Sequence, residues 1–232
     1  MQGEKMIEFI DCAEIARHIN EEIRQKVKKS NPTLWVKFAE EIDDSDKLYL
    51  KGIEKDAERL GISVSEERGD GILYLGQSWS NKKYLPLDID GASANAERIM
   101  SVVEATMLVI TNEINVSGKA ALVVGRGRVG KQIARELLNL DATVSICHTK
   151  TESTTFEVLA DNADIIVNTG AKDVMFNASN CSVAVDLSGA DNKWYDYYTY
   201  MRLTPRINGI GLITRAILLK RLVDRCVCRG KK

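Results

Sequence analysis

Residues 125–130 read Gly-Arg-Gly-Arg-Val-Gly, a G-x-G-x-x-G run set between the apolar stretch "KAALVV" and the amphipathic stretch "VGKQIARELLNL". This placement narrows what the chain can fold into. In a strand–turn–helix, the first glycine permits the tight turn and the second lets backbone approach a pyrophosphate. The third lets the helix close on the strand, and the phosphates rest on the N–H groups that open the helix. A purely structural strand–turn–helix would use some of the same glycines. The buried strand before the motif and the helix after it favour the dinucleotide reading. Gly125, Arg126, Gly127, Arg128, Val129 and Gly130 are therefore candidate cofactor-binding residues.

The end of the next strand bears on which dinucleotide. An NAD site usually places Asp or Glu there, on the ribose hydroxyls. Here "ATVSIC" runs into His148-Thr149-Lys150-Thr151, and no carboxylate appears before Glu152. Hydroxyls and cations suit a 2′-phosphate, which a carboxylate would repel. The expectation is NADP, with Arg126 and Lys150 near the phosphate; the plain alternative is that both are solvated surface charges. His148 reads as a turn residue near the adenosine ribose rather than a catalytic group.

Further along, "ADIIVNTG" and "SVAVDLSG" read as strands, so strands alternate with helices from about residue 100 onward. That pattern predicts a doubly wound parallel sheet. Thr169 and Gly170 fall at a strand end, the ligand edge of such a sheet. Before residue 100, Ile15, Ile19, Ile23 and Val27 form a helical stripe at steps of four. "NPTLWVKFAE" reads as a strand, and "SDKLYLKGIEKDAERLGISV" as a helix stopped near Gly61 followed by a strand. "DGILYLG" is a third strand, and "NKKYLPLDIDGASAN" a loop. "AERIMSVVEATMLVITNEI" reads as one long apolar helix, and "GLITRAILLKRLVDRC" as the last helix.

Composition excludes more than it assigns. A net charge of -1 over 232 residues gives no basic excess for nucleic acid or a membrane surface. No apolar run reaches bilayer length, and "MQGEKMIEFIDC" lacks the core of a secretory signal. The five cysteines are odd in number and have no framework spacing, which points to a reduced, cytoplasmic protein. "CVC" near the C-terminus has no matching second pair, so no metal is expected.

Several segments, in order, resemble the methylenetetrahydrofolate dehydrogenase/cyclohydrolase family over nearly the whole chain. They are "IDCAEIARHINEEIRQKV", "SDKLYLKGIEKDAERLGI", "DGILYL", "LPLDIDG", "GKAALVVGRGRVGKQIARELL", "ATVSICHTKT" and "TPRINGIGLIT". The resemblance implies a two-lobed α/β protein. Its C-terminal lobe, about 101–213, would be a Rossmann-type NADP-binding domain with a doubly wound parallel sheet. Its N-terminal α/β substrate lobe would span 1–100 and be joined by the C-terminal helix 214–232. It also implies a homodimer, a tetrahydrofolate-type small-molecule substrate, and hydride transfer from methylene-tetrahydrofolate to NADP.

By the same resemblance, Tyr49 stacks on the folate rings, Asp88 or Asp90 accepts hydrogen bonds from the pterin, and Gln77 stands two residues beyond the family's glutamine position. A loop turn-former is the alternative for each aspartate. Gly209, Gly211 and Thr214 survive from the C-terminal signature, where the glycines admit a close approach of backbone to ligand or simply shape a turn. The departures matter as much. The family's catalytic lysine lies four residues after the tyrosine, and here that position is Ile53. Lys51 and Lys55 project to other faces of the helix. "IMSV" replaces Pro-Cys-Thr-Pro, and the loop before "DIDG" is short. The expected activity is thus an NADP-dependent methylene-tetrahydrofolate dehydrogenase with weak or absent cyclohydrolase activity, which Ile53→Lys would partly restore. The rivals are a catalytically degenerate nucleotide- or pterin-binding sensor or partner subunit, and an NADP oxidoreductase for another substrate.

Overall fold

The computed structural model describes residues 6–76, 83–93, 96, 98–172, 180–189 and 200–229. The chain forms two compact units: Met1–Cys12 with Ala105–Ile210, and Ala13–Glu104 with Gly211–Lys232.

The first unit carries a six-stranded sheet of β1 (Met6–Phe9), β5 (Ala120–Val124), β6 (Thr143–Cys147), β7 (Ile165–Asn168), β8 (Val183–Asp186) and β9 (Tyr200–Leu203). Its order is β1-β9-β8-β7-β5-β6, and every neighbouring pair is parallel. All four residues of β7 are buried, as are Val183, Ala184 and Val185 of β8. Central strands covered on both faces read as unbroken apolar runs, which is why they were legible in the sequence. Helix α4 (Arg128–Asn139) turns Ile133, Ala134 and Leu137 inward, beside the buried Gly130. Helix α5 (Ser153–Asp161) buries Ala160 in the cluster formed by Leu122, Val124, Cys147 and Ile166.

Three elements, two of them in this unit and α3 divided between the two units, differ from the sequence reading. β1 belongs to this sheet rather than to the N-terminal lobe, because its hydrogen-bonding partner is β9, Ile7 facing Met201. Neither strand is evident alone, since each is short and its pairing is long-range. α5 escaped notice because Ser153, Thr154 and Thr155 are weak helix formers. Helix α3 spans only Ser101–Glu113, not the whole apolar stretch from Ala96, and its Val103, Ala105, Val109 and Ile110 are fully buried.

The second unit carries a three-stranded parallel sheet, β3-β2-β4, of β2 (Thr33–Phe38), β3 (Ser63–Ser65) and β4 (Gly71–Leu75). Helix α1 (Cys12–Val27) buries Ala16, Ile19, Ile23 and Val27; the inward face is entered by Ala16, with Ile15 only half-buried. Helix α2 (Asp44–Leu60) starts at Asp43, whose carboxylate accepts the Asp46 N–H at 2.8 Å, and stops at Gly61 with φ of 73°. A left-handed cap of this kind favours glycine. Helix α6 (Ile210–Arg229) buries Ile213, Leu218, Leu219, Leu222 and Val223. No helix among the described residues is long and apolar enough to cross a membrane.

One cation organises the segment between β4 and α3. The Arg221 guanidinium donates to the carbonyls of Ile89 at 3.0 Å and Ile99 at 3.1 Å, to Ser101 Oγ at 2.9 Å, and to Glu104. It thus ties the residues before α3 to α6 and satisfies two carbonyls that lie outside any helix. Arg221→Met is expected to lower the unfolding free energy by about 2 kcal/mol, because several charge-assisted bonds go while two carbonyls lose a partner. Urea unfolding measures this; an unchanged midpoint would remove Arg221 from the role.

Candidate functional site: a glycine-loop cavity and a tyrosine–carboxylate–arginine cluster

The sheet order places a switch point between β5 and β7. From β5 the chain crosses through α4 to the edge strand β6, then returns through α5 to the other side of β5. Ligands of doubly wound sheets bind beyond the carboxyl ends of the strands at such a point. A cavity of about 870 Å³ lies there, walled by the ends of β5, β6 and β7. Gly125, Arg126, Gly127, His148, Thr149, Lys150, Thr151, Thr169 and Gly170 all line it.

The glycines are explained by what stands against them. Gly125 has φ of 111°, and a Cβ there would lie 2.1 Å from Thr169 Oγ1, which itself donates to the Val124 carbonyl at 2.9 Å. A Cβ at Gly130 would lie 2.0 Å from the Gly125 carbonyl oxygen, so α4 closes on the turn only without a side chain. Gly127 is different: a Cβ there meets nothing within 4 Å. It occupies the N-cap of α4 with no side-chain capping bond and faces the cavity, so the helix N-terminus, which favours anions, opens onto the cavity.

The turn after β6 is held from within. His148 N–H donates to Thr151 Oγ1 at 3.0 Å, and Lys150 N–H donates to His148 Nδ1 at 3.1 Å. With Nδ1 accepting, His148 shapes the turn. Among the described lining residues Arg126, Lys150 and Lys172 are cationic, and none is Asp or Glu. Sequence reasoning missed Lys172, Ser153 and Phe156, which enter through the unread helix α5 and the loop after β7. That loop is set by the fully buried Asn168. Its Nδ2 donates to the Ala171 carbonyl at 2.8 Å, and its Oδ1 accepts the Ala171 N–H at 2.9 Å.

Other expected cofactor residues lie elsewhere. Arg128, Val129 and Gly130 form the first turn of α4 and are not on the cavity wall. Gly209, Gly211 and Thr214 do not line it either. A Cβ at Gly209 would lie 2.0 Å from the Pro205 carbonyl oxygen, which makes this glycine a requirement of the turn before α6. Thr214 is a buried residue of α6.

The second unit gathers the remaining candidates, apart from Gln77, which lies outside the described residues. Asp88 is committed to its own loop: its carboxylate accepts the N–H groups of Gly91 at 2.8 Å, Ala92 at 3.3 Å and Ser93 at 2.8 Å. This is the turn-forming alternative, and it removes most of the acceptor capacity a ligand would use. Asp90 stands otherwise. Burial, with the Asp88 charge adding to it, holds its carboxyl above the usual range, against a hydrogen bond from Ser101 and the charge of Arg221. Burial and the Asp90 charge together push the Tyr49 phenol well above its ordinary value, while Arg215 and Arg221 act in the opposite direction. Tyr49 therefore lies near enough to Asp90, Arg215 and Arg221 to feel their charges. Ile53, one turn after Tyr49, is fully buried. Arg215 and Asp56, which no sequence pattern singled out, form an ion pair of 2.7 Å.

Known proteins share this architecture. The chain is similar to the bifunctional protein FolD of Thermotoga petrophila, 28% identical, with 93% of this chain and 97% of that protein covered. It is 31% identical to FolD of Thermosipho melanesiensis over 86% of this chain and 90% of that one. Among solved structures, the methylenetetrahydrofolate dehydrogenase/cyclohydrolase of Campylobacter jejuni superposes with a TM-score of 0.78 at 21% identity, covering 97% of this chain and all (100%) of that chain. The NAD-dependent methylenetetrahydrofolate dehydrogenase of Saccharomyces cerevisiae superposes with a TM-score of 0.73 at 13% identity, covering 98% of each chain. Residues 101–229 match the family profile described as tetrahydrofolate dehydrogenase/cyclohydrolase, NAD(P)-binding domain. With its glycine turn, parallel sheet and overall fold in agreement with that match, the chain belongs to the tetrahydrofolate dehydrogenase/cyclohydrolase family.

Proposed function

We propose that the protein is an NADP-dependent methylenetetrahydrofolate dehydrogenase whose cyclohydrolase activity is weak or absent. The observation that carries the cofactor choice is the cavity at the glycine turn, whose described lining residues include three cations and no carboxylate. The β5–α4 turn would seat the pyrophosphate, and Arg126, Lys150 and Lys172 would surround the 2′-phosphate. NADP, when bound, supplies the hydride acceptor. The unit of residues 105–210 is thereby read as the cofactor-binding unit. The unit of 13–104 with 211–232, bearing Tyr49 and Asp90, is read as the tetrahydrofolate-binding one. Tyr49 would offer a stacking face, and the half-buried Asp90 an acceptor for the pterin's amino and ring N–H groups.

Hydride transfer depends chiefly on the placement of two rings. Addition of water also needs a group that moves a proton or polarises the one-carbon unit, a contribution of about 10²–10⁴-fold. Ile53 offers neither a proton nor a charge. A spectrophotometric assay with NADP and methylene-tetrahydrofolate tests the reading. NADPH should accumulate, and the methenyl product should hydrolyse little faster than in buffer. Robust hydrolysis would sink the second half, and absence of hydride transfer the first. The family resemblance and the five free cysteines support a homodimer working in the cytoplasm.

Arg126→Ala should weaken NADP binding about tenfold or more while leaving NAD binding much less affected, as expected for one charge-assisted phosphate contact. Calorimetric titration with both nucleotides measures this. Equal losses would mean that Arg126 does not read the 2′-phosphate.

A further inference from the structure

Helix α2 contains a glycine in its interior, Gly52, between Tyr49 and Ile53. Such a glycine costs a helix about 1 kcal/mol relative to alanine and calls for a reason. The reason is on α6. A Cβ at Gly52 would lie 3.1 Å from both the guanidinium carbon and Nε of Arg215. The missing side chain therefore makes room for a guanidinium laid against the turn of α2 that carries Tyr49. Asp56, one turn further along α2, accepts from Arg215 Nε at 2.7 Å, and both side chains are 18% exposed. Among the described residues, the four N–H bonds of the two terminal nitrogens have no acceptor. The charge reaches the Tyr49 phenol, which also feels Asp90.

We propose that Arg215 is a substrate-binding residue. Anchored by Asp56 and seated over Gly52 beside Tyr49, it supplies from α6 the cationic donor that Ile53 lacks, and its terminal N–H groups take the lactam oxygen of the pterin. The inference rests on the tetrahydrofolate reading given above. The aminopyrimidinone edge of a pterin presents amino and ring N–H donors beside a carbonyl acceptor. Asp90 matches the donors and Arg215 the acceptor. A guanidinium offers N–H donors and no acceptor, so Arg215 binds and orients but takes no proton from an attacking water. The Asp56 carboxylate offsets its charge, which matters because hydride loss leaves the one-carbon unit positively charged. The substitution pattern is thus reciprocal: where Ile53 cannot supply a cation, a neighbouring helix supplies one.

The test compares wild type with Arg215→Met and Arg215→Lys, reading KM for methylene-tetrahydrofolate, Kd for NADP, and Kd for 5-formyltetrahydrofolate by calorimetry. Arg215→Met leaves Asp56 without its partner, so Arg215→Met/Asp56→Leu is run beside it to preserve a folded comparison. The expected result is a rise of about tenfold or more in folate KM and Kd in both Met variants, partial recovery in Arg215→Lys, and NADP Kd within about twofold of wild type. Folded Met variants that keep wild-type folate affinity would overturn the proposal. A wild-type protein that turns nothing over but binds 5-formyltetrahydrofolate in an Arg215-dependent way would support it while sinking the dehydrogenase reading. A wild-type protein that binds no folate would overturn both.

Discussion

Gly127→Val should lose dinucleotide binding, by about a hundredfold or more in Kd, in a protein that still folds. Gly130→Val should not fold. The two glycines belong to one motif, but their surroundings differ. A side chain at Gly127 meets open space within 4 Å on the protein's own side and projects into the cavity where a pyrophosphate would approach. Its φ of -67° suits any residue, so the fold loses only the difference between glycine and valine as an N-cap, about 1 kcal/mol. A hundredfold corresponds to about 2.7 kcal/mol, which displacement of backbone–phosphate bonds readily supplies. At Gly130 the new Cβ would fall 2.0 Å from the Gly125 carbonyl oxygen, which is main chain and cannot swing aside. Relief requires moving α4 off β5, at a cost of about 4 kcal/mol or more. Thermal unfolding and NADP titration of both variants measure the contrast. Normal NADP affinity in folded Gly127→Val would refute the role given to the turn.

Ile53→Lys should be less stable than wild type by about 3–5 kcal/mol and should not recover hydrolysis of the methenyl product. Sequence resemblance alone led to the opposite expectation, that lysine would return the missing activity. Ile53 is fully buried, however, and Arg215 lies against the adjacent Gly52. A lysine entering there has to bury its stem and bring an ammonium toward an existing guanidinium, whose carboxylate partner Asp56 is already engaged. Burial and like charge both disfavour the protonated form, so the native pKa of the new lysine falls below its unfolded value of about 10.4. Between those two values the unfolded state binds more protons, and stability rises with pH. The deficit should therefore be largest at neutral pH and shrink as pH approaches about 10. Urea unfolding at neutral and alkaline pH gives the sign directly. A variant as stable as wild type that hydrolyses methenyl-tetrahydrofolate would show that the pocket still accommodates a lysine beside Arg215.

Much of the cofactor unit was legible from residue order because its signals are local. β5, α4 and β6 are contiguous, the glycines fall between them, and the buried strands β7 and β8 are uninterrupted apolar runs. The absence of a carboxylate after β6 was also readable, and the cavity wall adds Lys172 to the cations inferred from the sequence. What the sequence concealed was long-range. β1 acquires its meaning only by pairing with β9 nearly two hundred residues away (Met6 facing Tyr200). Arg221 looked like one more charge on a helix, yet it binds the carbonyls of Ile89 and Ile99.

The amino-acid sequence by itself determined the parallel α/β class, the glycine turn and its place before a helix, the cationic ending of β6, and the lack of a lysine at position 53. Periodicity and short motifs carry all of these, because they depend on neighbours within a few residues. Only the tertiary structure decided that Asp88 is spent on its own loop while Asp90 is half-buried and bonded by Ser101, that Ile53 is buried, and that Arg215 stands over Gly52 paired with Asp56. Those outcomes depend on which side chains from distant segments arrive at the same point, and on which of them are withdrawn from water there. A linear pattern of residue types does not encode that directly.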